Sequence, residues 1–350
     1  MQIPYGLVRP VLFKLDAERA HRLTLRMLGA MPSSRLPEDP PSLRTTVAGL
    51  RFSNPVGIAA GFDKNAEALN PLLRLGFGFV EAGTVTPLPQ PGNPKPRMFR
   101  LTEDQAVINR LGFNNDGLEQ ALDKFKERAW NRGPRGVTGL NVGANKDSRD
   151  RIADYALSVE HAAPFVDYIT VNISSPNTPG LRTLQSKDEL SGLLGRVIEA
   201  RGHRKTPIFL KVAPDVTDAD IGDIAVAVVA AGIDGLVVSN TTIARPDTLK
   251  SRHAPETGGL SGRPLMARST EVLRAFRQAT VGAVPLIGVG GIASADDAYR
   301  KIRAGASLVQ LYTALVYQGP GLVGAIKAGL AAHLRADGFE RVSQAVGADA

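Results

Sequence analysis

Residues 168–180 read YITVNISSPNTPG, and the reading of this run decides the fold. Thr170, Val171 and Ile173 favour an extended backbone. Asn172 stands among them, although a strand covered on both faces is almost wholly apolar. The run then breaks into two serines, an asparagine, a threonine and two prolines. If the pattern recurs, it describes buried strands that each deliver polar groups at one end.

It recurs. The runs are VGIAAGF (56–62), FVEAGTVT (79–86), GVTGLNVG (136–143), YITVNISS (168–175), IFLKVAP (208–214), GLVVSNT (235–241), PLIGVGG (285–291) and SLVQLYTA (307–314). Stretches between them, such as DIGDIAVAVVAAG and DDAYRKIRAG, have helical character. Strands alternating with helices argue for a parallel α/β sheet. Eight units between residues 56 and 314 match a closed (β/α)8 TIM barrel. An open doubly wound sheet fits less well: the GVGG run comes seventh, and no G-x-G-x-x-G follows the first strand. LRTTVAGLRFSNP (43–55) reads as a small hairpin that plugs the bottom of the barrel.

The chain divides into an amphipathic helical segment at 1–42, the barrel at 43–340 and a C-terminal tail at 341–350. In the first segment Asp16 is placed to cap a helix, Gly29 to end it and Pro32 to block its continuation. Ala20, Leu23, Met27 and Leu28 recur at helical spacing, with Arg19, Arg22 and Arg26 on another side. Such a helix either packs on the main domain or lies on an anionic bilayer surface. No run of eighteen apolar residues spans a membrane, and residues 1–30 lack the core and cleavage site of a signal peptide.

Composition narrows the chemistry. The absence of cysteine excludes disulfides, Cys-ligated zinc, iron–sulfur clusters and thiol nucleophiles. His21, His161, His203, His253 and His333 are scattered, so no metal site is expected. The net charge of +8 is spread without a Lys/Arg run and only 5% of residues are aromatic, which argues against a nucleic-acid partner.

Catalytic groups of such barrels sit at the C-terminal strand ends. There stand Gly61 and Lys64, Thr84, Asn141, Asn172 and Ser175, Lys211, Ser239 with Asn240 and Thr241, Gly290 and Gly291, and Tyr312 with Thr313. Any one of them has an ordinary reading as a cap or turn residue. Together they form a set rich in amides, with two lysines and almost no carboxylate beside Asp63. Asn109, Asn172, Asn177 and Asn240 suit a flat, amide-bearing heterocycle, and Lys64 a ligand carboxylate. GVGGIAS (288–294) and the turn after the eighth strand suit a phosphate. Lys211 allows either a Schiff base with a carbonyl or a charge beside a flavin ring.

NPVGIAAGFDKN, EAGTVTPLPQPGNPKPRMFRL, VINRLGFNN, VNISSPNTPGLR, LKVAPD, SNTT, GGLSGRPL, IGVGGI and VQLYTAL, in this order and spacing, resemble dihydroorotate dehydrogenases of the quinone-linked, membrane-associated class. The resemblance runs from about residue 5 to 335. It implies a barrel that holds one non-covalent FMN and oxidises dihydroorotate to orotate in pyrimidine (UMP) biosynthesis. Electrons would pass to a membrane quinone, with the protein peripheral on the cytoplasmic side of the cell membrane and in contact with anionic lipid. The oligomeric state stays open, a monomer among the options.

By the same resemblance Ala60, Gly61, Lys64, Thr84, Asn141, Asn172, Lys211, Ser239, Gly262, Gly291, Tyr312 and Thr313 would hold FMN. Lys64, Asn109, Arg110, Leu111, Gly112, Phe113, Asn172, Asn177, Asn240 and Thr241 would hold the substrate. His21, Arg100 and Tyr312 match the polar lining of the quinone tunnel, and Val316 departs from relatives with threonine there. Oxidation needs a base for the C5 proton. Strand alternation from Asn172 favours Ser174. Pro176 biases Ser175 to an extended conformation beyond the strand, and the family motif places the base at Ser175, which is the catalytic residue chosen. A serine needs a relay for its proton, with Thr178 as candidate partner. A Schiff-base aldolase using Lys211, a non-catalytic phospho-ligand scaffold and a soluble dehydrogenase with another acceptor are the alternatives. Residues 1–40 speak against the last.

Overall fold

A computed structural model describes residues 5–30, 36, 38–131, 136–178 and 180–350. Pro32 lies outside the described residues. In chain order the strands are β1 Thr45–Val47, β2 Leu50–Phe52, β3 Val56–Ile58, β4 Phe79–Val85, β5 Met98–Leu101, β6 Ala106–Asn109, β7 Val137–Val142, β8 Tyr168–Asn172, β9 Ile208–Val212, β10 Gly235–Val238, β11 Gly259–Gly262, β12 Leu286–Val289 and β13 Ala306–Leu311. Eight of them close into a barrel in the order β3-β4-β7-β8-β9-β10-β12-β13, every neighbouring pair parallel. These are the eight apolar runs of the sequence, each shorter at its polar end.

The lower barrel is filled by a size rule. Phe79, Tyr168 and Phe209 turn inward, and their register partners on adjacent strands are Gly57, Gly139 and Gly235. A methyl on any of those glycines would come within 2.3 Å of the facing ring. Large beside small is how a small barrel is packed without voids. β1 and β2 form the expected hairpin, and Val47 and Phe52 join this inner cluster from below. The Phe52 ring stands 5.4 Å from that of Phe79, edge to face.

Two helices precede the barrel, α1 Tyr5–Lys14 and α2 Ala17–Gly29. Asp16 caps α2 as expected, accepting from the amides of Glu18 and Arg19. The apolar residues of α2 divide: Ala20 and Leu28 are buried against the barrel, while Leu23 and Met27 are exposed. No residue of α1 is buried, and Leu7 and Val11 are 70% and 64% exposed. The last ten residues fold onto the barrel, with Val342 and Ala345 buried and Asp349 paired to Arg303.

A further sheet, β5-β6-β11, is antiparallel and lies over the C-terminal end of the barrel. It pairs Asn109 with Gly259 and Arg100 with Val107. The sequence reading did not anticipate it.

Candidate active site

A cavity of about 1290 Å³ opens where the barrel strands end and continues beneath α1 and α2. Nearly every residue singled out from the sequence lines it: Ala60, Gly61, Lys64, Thr84, Asn109, Leu111, Gly112, Phe113, Asn172, Ser175, Asn177, Lys211, Ser239, Asn240, Thr241, Gly262, Gly291, Tyr312, Thr313, His21 and Arg100. Two stand apart. Asn141 is fully buried below the lining. Arg110 turns away, with its guanidinium 2.8 Å from Glu256 and stacked over the Phe99 ring at 4.6 Å. Its charge therefore does not face the cavity.

The opening motif ends at one wall of this cavity. Alternation does put Ser174 on the side of Asn172, where its hydroxyl donates to Asn172 Oδ1 at 2.9 Å and accepts from Asn240 Nδ2 at 2.9 Å. Ser174 is fully enclosed by those bonds. Ser175, beyond the strand, lines the cavity instead, and among the described residues its Oγ accepts only from the Asn177 amide, at 3.2 Å. Among the described residues Thr178 Oγ1 has no hydrogen-bond partner; it is buried and does not reach the lining.

The amides are ordered from beneath by a group the sequence reading missed. Glu81 on β4 is completely buried inside the barrel. It accepts from Asn141 Nδ2 at 2.8 Å, Gln310 Nε2 at 2.7 Å and Tyr168 Oη at 3.1 Å. A carboxylate only accepts, so Asn141 must turn its nitrogen down and its Oδ1 up. That oxygen takes the Thr84 hydroxyl at 2.6 Å and Asn172 Nδ2 at 3.1 Å. Asn172 in turn shows its Oδ1 to Ser174 and Asn240. One buried carboxylate thus sets the donor–acceptor sense of the whole amide ladder.

Two lysines face the cavity in different fields. Burial, reinforced by Arg97, lowers the Lys64 pKa to about 7. Its ammonium donates to the Asn114 side chain. Burial also lowers the pKa of Lys211, while the Glu81 charge opposes the shift. Among the described residues no hydrogen bond or ion pair engages the Lys211 ammonium.

At the glycine-rich end, Gly262, Gly290 and Gly291 take φ values of +94°, +107° and +80°, a region open to glycine. A methyl on Gly291 would meet Met266 Cα at 2.4 Å, and one on Gly262 would meet the Gln105 carbonyl at 2.4 Å. The backbone is thereby pressed into a cradle.

Toward the helices the lining becomes apolar and aromatic. His21 packs edge to face on Phe62 at 5.2 Å, and Phe62 on Tyr312 at 5.4 Å. Burial, with the Lys64 charge, lowers the His21 pKa to about 4, so its imidazole is neutral at pH 7. Arg100 donates to the carbonyls of Leu12, Phe13 and Leu15, tying α1 to β5. Arg97 grips Glu18 of α2 with Nε and Nη2 at 3.0 and 2.8 Å, and that pair lowers the Glu18 pKa to about 2. The Glu18–Arg97 pair was not read from the sequence, since the two lie 79 positions apart. Val316 lines the cavity and offers its carbonyl to Tyr5 Oη at 2.6 Å.

The sequence model of the family described as Dihydroorotate dehydrogenase matches residues 42–334. A Novosphingobium aromaticivorans protein named Dihydroorotate dehydrogenase (quinone) is 55% identical over 99% of both chains. A protein of the same name from Parvibaculum lavamentivorans is 58% identical over 99% of this chain and 98% of its own. Among solved structures, a crystal structure of DHODH in complex with ferulenol from Eimeria tenella superposes with a TM-score of 0.92 at 41% identity, covering 95% of this chain and 96% of that one. With the same strand-end motifs surrounding one cavity, the chain belongs to the dihydroorotate dehydrogenase family.

Proposed function

We propose that this chain oxidises dihydroorotate to orotate, with one non-covalently held FMN as electron carrier and a membrane quinone as acceptor. The observation that carries the reading is the continuity of the cavity. Ser175 and four asparagine side chains stand at one end, and the apolar space under α1 and α2 forms the other. The names of the relatives support the substrate and the acceptor.

The chain fits the cofactor in three ways. Gly262, Gly290 and Gly291 line the cavity with bare backbone, packed so closely from behind that a methyl on any of them would meet Gln105, Ser269 or Met266 within 2.9 Å. The amides of Gly291 and Ile292 engage in no backbone hydrogen bond among the described residues, so they are available to a phosphate. Lys211 is a buried cation on the cavity wall, without a partner among the described residues. Bound there, FMN supplies a two-electron acceptor that a quinone can reoxidise. Ala60, Gly61, Thr84, Ser239, Tyr312 and Thr313 would complete its seat, with Asn141 and Asn172 holding the amide geometry from below.

The residues then divide the work on the substrate. Lys64 as an ammonium neutralises the substrate carboxylate. Asn109, Asn172, Asn177 and Asn240 match the ring N–H and C=O groups, and Gly112, Phe113, Leu111 and Thr241 exclude water. Ser175 Oγ takes the proton from C5. Thr178, whose buried hydroxyl has no hydrogen-bond partner among the described residues, is the candidate to pass that proton on. Lys211 places positive charge where negative charge develops. His21, Arg100 and Tyr312 form the polar points of an otherwise apolar acceptor channel.

Exposed Leu7, Val11, Leu23 and Met27 beside Arg9, Arg19, Arg22 and Arg26 suit a helical hairpin lying in an anionic bilayer surface. No helix among the described residues is long and apolar enough to cross a membrane. On this reading the contact is peripheral, on the cytoplasmic side of the cell membrane. An anaerobic absorption spectrum before and after adding dihydroorotate tests the reaction. The flavin band should appear in the first and bleach in the second. A protein that releases no FMN on denaturation, or a band that dihydroorotate leaves untouched, would sink the reading.

A further inference from the structure

Lys301 is a cation far from water. It lies on the helix Ala295–Arg303 and is fully buried. Its stem runs along β12, where a methyl on Gly288 would come 3.3 Å from its Cδ. Among the described residues its ammonium has one hydrogen-bond acceptor, Ser269 Oγ at 2.6 Å, and no carboxylate within ion-pair distance. Burial lowers its pKa to about 7, with the Asp297 charge opposing. A buried charge is ordinarily paired, and this one has only a serine.

Ser269 belongs to the first turns of the helix Met266–Ala279. Its oxygen accepts from Lys301, so its own hydrogen goes elsewhere, to the Gly290 carbonyl at 3.0 Å or the Met266 carbonyl at 3.2 Å. In the shorter of the two arrangements the Ser269 hydroxyl links the Gly290 carbonyl to the buried ammonium. The peptide bond from Gly290 to Gly291 is not among the cis bonds of this chain. In a planar trans peptide the N–H points opposite to the C=O. The N–H of Gly291 thus points away from Lys301, on the side of the cavity that Gly290 and Gly291 line. It engages in no backbone hydrogen bond among the described residues.

We propose that Lys301 is a positioning residue for phosphate recognition: through Ser269 and the Gly290–Gly291 peptide, its buried ammonium polarises and aims a backbone N–H at the phosphate of the cofactor. The inference rests on the FMN reading above and deepens it. A phosphate monoester carries about −1.5 to −2 charges at neutral pH, the complement that a lone interior cation lacks. The cation needs no contact with the ligand, because hydrogen bonds in series polarise one another in a low-dielectric interior.

Riboflavin has the same ring system as FMN without the phosphate, so the pair isolates this role. The holoprotein is equilibrated with a mixture of FMN and riboflavin, bound flavin is separated, and the ratio is read after release. Lys301→Met should lower the bound FMN-to-riboflavin ratio by about tenfold or more. Ser269→Ala, which deletes one oxygen, should move it the same way. If Lys301→Met does not fold, Ser269→Ala carries the test under the same criterion. A ratio within twofold of the unaltered protein, or an equal loss of both flavins, would overturn the proposal while leaving the FMN reading in place. If the unaltered protein took up neither flavin, the FMN reading itself would fall.

Discussion

Ser174 and Ser175 are neighbours with the same side chain and opposite surroundings. The first is locked between Asn172 and Asn240, and the second faces the cavity. Ser175→Ala should therefore bind orotate normally and reduce its flavin about 10²–10⁴-fold more slowly, the usual cost of a missing general base. Ser174→Ala should instead disturb orotate binding, because it removes two hydrogen bonds from the amide ladder. Stopped-flow reduction and orotate titration separate the two, and the reverse pattern would move the base by one residue. Lys64 gives a pH dependence. Its free pKa of about 7 means that the ammonium is present below that pH and lost above it. A carboxylate ligand favours the charged form, so orotate binding above pH 7 must take up a proton. Affinity should fall about tenfold per pH unit above 7, until the pKa of the complex is reached. A flat profile from pH 6 to 8 would remove Lys64 from the carboxylate contact. At this scale the polar strand ends were legible, because amides and lysines are conspicuous after apolar runs. Glu81 was not, since a glutamate inside FVEAGTVT carries no mark of its partners on three other strands.

The elements were legible where a strand ends in a change of chemistry, which is why all eight barrel strands could be read. The sheet β5-β6-β11 could not. Its strands are four residues long, one of them reads GLSG, and that one joins β6 from about 150 residues away, while β5 and β6 pair locally. For α2, helical spacing gave the helix and its cap. It did not tell which apolar residues face the barrel, because Ala20 and Leu28 are buried while Leu23 and Met27 stay exposed. The two N-terminal helices also differ in what they support. α2 holds Glu18 against a buried Arg97, so its removal would strand a charge. α1 buries nothing. Deleting residues 1–14 should therefore leave the flavin bound and reducible by dihydroorotate. Reoxidation by a long-tailed quinone should collapse while a small soluble dye still accepts electrons. Binding to anionic vesicles should weaken with the deletion and, in the intact chain, with added salt. Full activity of the shortened protein with the long-tailed quinone would end the case for α1 as an acceptor channel.

Across the whole molecule, stability and chemistry occupy opposite ends of the barrel. The lower end is filled by rings set against glycines and closed by Phe52 of the hairpin. Phe52→Ala should cost about 3–5 kcal/mol in urea unfolding, as for other buried phenylalanines, with orotate affinity and flavin reduction unchanged in the folded protein. A change in either at native conditions would show that the two ends are not separable.

The upper end has a frame of its own. β5 carries Arg100, which holds the carbonyls between α1 and α2. β6, its hydrogen-bonded neighbour, ends in Asn109 beside Asn177. The helical hairpin and one edge of the ligand seat thus hang from a single sheet. Thermodynamic linkage then runs both ways. Whatever factor a vesicle surface adds to orotate affinity by steadying the hairpin, orotate must add to vesicle affinity. If the hairpin docks as proposed, the bilayer is an allosteric effector as well as a place to dock.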